Sequence, residues 1–195
     1  MKAYYEARAR EYDDWWLGRG LYAGNRPDDW HEERERLIGW ISELQPARTL
    51  DVACGTGFLT RHLRGEVVGL DQSASMLEVA SAQVPHAEFV QGDALALPFT
   101  DGSFDRVFAS YFYCHLEDED RRRFLREVRR VARELVLVGT VLREGEEPTR
   151  WDERVLKDGS HWKVFKRVFV PEELATELGG RVLHASRLFL MVASP

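Results

Sequence analysis

Short apolar runs alternate along this chain with longer stretches in which apolar residues return every three or four positions. Thr49–Ala53, Val67–Leu70 ending at Asp71, Ala87–Gln91, Phe104–Tyr111 and Glu134–Thr140 read as strands. Thr60–Arg64, Ser73–Gln83 and Asp118–Val131 read as the helices between them. The nearly unbroken apolar character of Phe104–Tyr111 is what a strand covered on both faces requires, and the alternation predicts an α/β fold with a mainly parallel sheet.

The two ends read differently. Residues 4–16 set Tyr4, Tyr5, Tyr12, Trp15 and Trp16 into a charged stretch, predicting one helix with an aromatic face. Asp29, with Glu32 three residues on, predicts a capping-box start to a second helix carrying Leu37, Ile41 and Leu44 on one face and closed by Pro46. After the fifth strand, Asp158-Gly159 signals a hairpin turn. Pro171–Leu178 predicts a last helix, and Arg181–Arg187 and Leu188–Val192 two closing strands.

At 195 residues and 44% hydrophobic content, one domain with a substantial core is expected over 1–195. It divides into cap helices (1–45), a core (46–140), a possible substrate lid (141–170) and a closing helix with strands (171–195). The net charge of −6 argues against broad nucleic-acid affinity, which needs clustered Lys and Arg. Cys54 and Cys114 have neither zinc-type nor redox spacing, which suits a reducing cytoplasm; no metal is expected. No apolar run approaches a membrane span, and the first residues have no signal-peptide core. Nothing in the pattern specifies an oligomer.

Chemistry enters at Asp51-Val52-Ala53-Cys54-Gly55-Thr56-Gly57, where two glycines directly follow an apolar strand and precede a helix. In a doubly wound sheet that turn lies at the carboxyl edge, where ligands bind, and glycine lets backbone approach a ligand closely. Asp71, fourteen residues after Gly57, ends the next strand and can accept hydrogen bonds from both ribose hydroxyls of a nucleoside. Asp93, in Gln91-Gly92-Asp93-Ala94, ends the third and can accept from an adenine amino group. A nicotinamide dinucleotide would call for a third glycine where this chain has Thr60. The Asp51 carboxylate near the turn would repel a pyrophosphate and attract a cationic amino-acid head.

These residues resemble class I S-adenosylmethionine-dependent methyltransferases over roughly 1–140. Asp51 to Gly57 is similar to the first motif, with Ala53 and Thr56 at positions often held by glycine and another small residue. Leu70-Asp71-Gln72-Ser73 with Met76 is similar to the second, and Gly92-Asp93-Ala94 through Leu97-Pro98-Phe99 to the third. The opening Tyr4 to Asp13 resembles the N-terminal helix of the branch that includes ubiquinone and menaquinone biosynthesis methyltransferases, whose tyrosines commonly close over the cofactor. The resemblance implies a Rossmann-like, mostly parallel seven-stranded sheet with an antiparallel strand near the C-terminus and N-terminal helices capping the cofactor site. It implies S-adenosyl-L-methionine as cofactor, S-adenosyl-L-homocysteine as product and a small-molecule acceptor. Tyr5, Tyr12, Asp51, Ala53, Cys54, Gly55, Thr56, Gly57, Asp71, Gln72, Met76, Gly92, Asp93, Ala94, Ser110 and Tyr111 are the expected cofactor residues.

Ser110 to His115 follows the fourth strand, where acceptor-facing groups enter in such enzymes. His115 is a candidate base, or else a residue packing before the Asp118 helix; Tyr113 is a candidate for orienting the acceptor. Trp16, Trp162, Lys166 and Arg167 are candidate substrate residues, the two cations either holding an anionic acceptor or protecting an edge hairpin. Two functions follow: methyl transfer to a small molecule, or a non-catalytic module that binds S-adenosylmethionine or another nucleoside.

Overall fold

A computed structural model describes residues 1–195. Seven strands form one sheet: β1 Thr49–Val52, β2 Val67–Asp71, β3 Glu88–Gln91, β4 Phe104–Ser110, β5 Ala132–Thr140, then β8 Arg181–Ala185 and β9 Phe189–Ser194. Their order is β3-β2-β1-β4-β5-β9-β8, and β9 alone runs antiparallel to its neighbours. β6 Thr149–Val155 and β7 His161–Arg167 make a separate antiparallel hairpin across the Asp158-Gly159 turn. The expected mainly parallel sheet is thus present, with its reversed strand near the C-terminus.

Alternation along the central strands divides the core. Val107 and Ala109 of β4, with Leu135 and Leu137 of β5, pack against Phe124 and Val128 of α5 (Asp118–Val131) and Leu174 and Leu178 of α6 (Pro171–Leu178). Their neighbours Phe108, Val136 and Val138 face the other side, against Leu37 and Ile41 of the helix Trp30–Glu43 and against Trp16. A period of two on a strand buried on both faces produces this arrangement.

The N-terminal stretch is broken rather than one helix. α1 Lys2–Arg8 and α2 Tyr12–Leu17 are joined by a 3-10 turn at Ala9–Glu11, so the aromatic side chains serve two surfaces. Trp16 stacks on Phe58 at 5.1 Å in the core, whereas Tyr4 joins Leu156 and Val164 of the hairpin region. The helix Trp30–Glu43, α3, starts after Asp29, but Asp29 makes no side-chain cap. Its carboxylate instead accepts Arg187 Nε at 2.8 Å, and Glu33 accepts the backbone N–H of Leu188 at 3.1 Å. These partners lie more than 150 residues away in the chain, beyond what local capping patterns can report. No helix is long and apolar enough to cross a membrane.

Candidate cofactor and acceptor site

β1 is flanked by β2 on one side and β4 on the other, so the strand order reverses at its carboxyl end. Ligands of open α/β sheets bind in the crevice this reversal creates. A cavity of about 300 Å³ opens there. Ala53 and Gly55 line it from just after β1; Asp71 and Gln72 from the end of β2; Gly92, Asp93 and Ala94 from just after β3. Ser110 contributes from the end of β4, Tyr111 and His115 from beyond it, and Tyr5 and Tyr12 close it from the cap.

The backbone is shaped for close approach. Gly55 and Gly57 take φ of +56° and +76°. A Cβ on Gly57 would meet Val84 Cγ2 at 3.0 Å, where α4 (Ala74–Gln83) ends. Two residues other than glycine also have positive φ, Ala53 at +57° and Tyr111 at +55°. They immediately follow β1 and β4, the strands on either side of the reversal. Side chains rarely adopt this region, and such strain concentrates at functional sites.

Asp71 organises the acidic wall. Its Oδ2 accepts the N–H of Gly55 at 3.0 Å and its Oδ1 the N–H of Ser73 at 2.9 Å. Burial raises its pKa against the lowering effect of these bonds. A carboxylate has about four acceptor positions, so Asp71 keeps capacity for a ligand while shaping the loop. Asp93 Oδ1 accepts the N–H of Leu95 at 2.9 Å and likewise faces the cavity.

The cap is latched over this edge. Glu6 accepts the N–H groups of Ala74 at 2.9 Å and Ser75 at 3.1 Å, placing a carboxylate on the N-terminus of α4. Hydrogen bonding from the Ser75 side chain, with these backbone bonds, pulls its pKa down to about 2. Thr56 Oγ1 donates to Asp13 at 2.5 Å, and Asp13 also accepts from Gln83 at 2.8 Å.

Several expected contact residues lie elsewhere. Asp51 is buried beneath the turn, where Oδ2 accepts from Thr60 Oγ1 at 2.6 Å and Oδ1 has no partner. Burial, reinforced by Asp71, pushes its carboxyl up to about 7, so it is not a fully charged surface facing the cavity. Cys54, Thr56, Gly57 and Met76 are also outside the lining, supporting the loop or packing under α4. Tyr113 donates through its hydroxyl to Glu177 at 2.6 Å, a carboxylate shared with Arg121, and its ring packs near Phe124 and Phe169. That geometry removes it from the cavity. Trp16 is core, Trp162 packs 5.8 Å from Tyr4, and Arg167 pairs with Asp118 at 2.8 Å.

His115 does face the cavity. Its Nδ1 lies 2.6 Å from the Phe165 carbonyl, which holds the proton on that nitrogen in the neutral ring. Burial lowers its pKa to about 4, so it is neutral at pH 7. Trp151 and Phe165 of the hairpin complete the outer wall, and Arg8 is buried nearby among Tyr4, Tyr12 and Tyr22. Trp151, Phe165 and Arg8 were not among the sequence candidates. For Arg8 the signal was present in the spacing Tyr4-Arg8-Tyr12, which aligns one cation between two rings on a helical repeat.

Residues 50–136 match the family model described as a methyltransferase domain. Over its whole length the chain superposes on a structure described as a DhpI-SAM-HEP complex, with TM-score 0.75 and 28% identity, covering 99% of this chain and 95% of that one. The family match thus falls on residues 50–136, which hold the Gly55 turn, Asp71 and Asp93, and the chain as a whole shares the fold of structures described as SAM and SAH complexes. A DhpI-SAH complex gives TM-score 0.74 at 26% identity, covering 98% of this chain and 92% of that one. The methyltransferase domain is also similar to a demethylmenaquinone methyltransferase of Thermotoga maritima, 43% identical over 103 residues, covering 50% of this chain and 44% of that protein. A 2-phytyl-1,4-naphtoquinone methyltransferase of Thermosynechococcus vestitus is 40% identical over 90 residues, covering 42% of this chain and 40% of that protein. The chain therefore spans less than half the length of these curated relatives.

Proposed function

We propose that this protein transfers the methyl group of S-adenosylmethionine to a small-molecule acceptor. The observation that carries the reading is the convergence of the Gly55 turn, Asp71 and Asp93 on one cavity at three successive strand ends. The fit is chemical as well as spatial: a glycine at the turn that faces the cavity, two carboxylates suited to ribose hydroxyls and an exocyclic amine, and tyrosine rings over the opening.

In this reading Gly55, Asp71, Gln72 and Asp93 hold the nucleoside, with Ala53, Gly92, Ala94, Ser110 and Tyr111 shaping the pocket. Tyr5 and Tyr12 exclude water from above. S-adenosylmethionine supplies an activated methyl carbon on a sulfonium with a neutral thioether as leaving group. The protein's work is alignment and desolvation, and orientation of this kind can contribute about 7–11 kcal/mol in favourable cases. His115, neutral with Nε2 as its acceptor nitrogen, lies where it can receive a proton or a hydrogen bond from the acceptor. The β6–β7 hairpin acts as the substrate lid, tied to the cap by Lys157, whose Nζ lies 2.5 Å from Asp14.

A small acceptor rather than a nucleic acid agrees with the charge of −6, and the two free thiols Cys54 and Cys114 suit a cytoplasmic setting. Isothermal titration with S-adenosylhomocysteine, followed by transfer of a labelled methyl group to a panel of acceptors, tests the reading. Saturable binding with transfer is expected. No binding at millimolar ligand would overturn the cofactor assignment, and binding without transfer across the panel would overturn the enzymatic one.

A further inference from the structure

A second, smaller recess of about 50 Å³ adjoins the large cavity, sharing Tyr5, Tyr12, Tyr111 and His115 as common wall. Its other walls include Arg8, Arg154 and Lys166, and no Asp or Glu lines it. The two cavities are therefore opposite in polarity: carboxylates on the nucleoside side, cations beyond the shared tyrosines.

The cations lack ordinary neutralisation. Arg8, 8% exposed, donates to the hydroxyls of Tyr4 at 2.7 Å and Tyr22 at 3.1 Å, leaves Nε without a partner and pairs with no carboxylate. Lys166 makes no ion pair, and burial lowers its pKa. Arg154 has Asp152, at 2.7 Å, but that carboxylate is shared with Arg150. Burying a cation such as Arg8 without a counter-charge, beside the half-buried Lys166 and Arg154, is costly unless something anionic completes the site.

We propose that this recess binds a small oxyanion, a carboxylate or phosphonate-type head group, on the methyl acceptor, through Arg8, Lys166 and Arg154. The inference rests on the methyl-transfer reading and names its substrate class. A water-sized group needs about 10–15 Å³ by this measure of volume, so the recess admits about three to five such groups. That is the scale of an oxyanion and too small for a fused bicyclic ring. Guanidinium groups favour such head groups through directed, charge-assisted hydrogen bonds, and Lys166 adds a point charge. Of the two hairpin cations marked in the sequence, Lys166 serves this recess, while Arg167 is committed to Asp118.

The test is calorimetric titration of the protein saturated with S-adenosylhomocysteine, using methylphosphonate, acetate and neutral acetamide. At least one anion should bind, acetamide should not, and Lys166→Met should weaken the anion about tenfold or more while S-adenosylhomocysteine affinity stays unchanged. Preference between the two anions reports a tetrahedral or planar head group. Because Arg8 is packed among tyrosines, Lys166→Met, on the hairpin, serves as the primary variant. Normal S-adenosylhomocysteine binding with no anion binding at tens of millimolar, or anion affinity unmoved by Lys166→Met, overturns the oxyanion proposal alone. Failure of both ligands overturns it together with the methyl-transfer reading.

Discussion

Asp71 holds the Gly55 backbone N–H at 3.0 Å, fastening the end of β2 to the turn after β1. One carboxylate thereby fixes the loop and forms a wall of the cavity, so its removal should be felt twice.

Asp71→Ala should lower S-adenosylhomocysteine affinity at least about tenfold, because it removes an acceptor for the ribose and frees the loop. It should also destabilise the fold by about 1–3 kcal/mol, since the Gly55 and Ser73 N–H groups lose a buried acceptor. Calorimetry and denaturant unfolding check the two parts separately.

Glu6 reaches across to α4 from a different part of the chain, and its chain neighbour Tyr5 lines the cavity. Glu6→Ala should weaken cofactor binding by a few-fold while leaving the unfolding free energy within about 1 kcal/mol, as expected for a partly exposed carboxylate at a helix N-terminus. The effect should shrink at high salt.

The capping, turn and strand patterns that local sequence reports were readable to different depths. α5 and α6 coincide with their expected bounds, because charged amphipathic periodicity and an initiating proline are properties of the segment itself. Asp71 and Asp93 were likewise legible, since strand ends in a parallel sheet share an edge. The N-terminal helix was not: its aromatic spacing fits one helix, and only packing of Trp16 on Phe58 and of Tyr4 on the hairpin shows why it breaks at Ala9–Glu11. Asp51 has the expected position along the chain, but the turn covers it, which motif spacing does not encode. Asp29 looked like a cap because its long-range partner Arg187 is invisible to a local window.

His115 gives a pH signature. Its folded pKa, about 4, lies below the ordinary 6.5, so the unfolded chain takes up the proton first as pH falls. The stability this neutral histidine permits is complete above about pH 6.5 and is lost progressively toward pH 4. Relative to His115→Gln, the wild type should lose on the order of 1–3 kcal/mol across that window. The activity profile should show no histidine step near pH 6.5. Paired unfolding curves at several pH values measure the first effect, and initial rates the second.

Tyr113 tests the boundary of the site. With its hydroxyl on Glu177, Tyr113→Phe should cost about 1 kcal/mol of stability and leave kcat within about twofold. Steady-state kinetics beside thermal unfolding would reveal any larger catalytic part.

The most direct measurement is a crystal structure with S-adenosylhomocysteine bound. The ribose should lie against Asp71, the adenine beside Asp93, and the thioether should face the wall shared with the cationic recess. Ligand density away from the ends of β1, β2 and β3, or Asp71 and Asp93 turned from it toward solvent, would contradict the account.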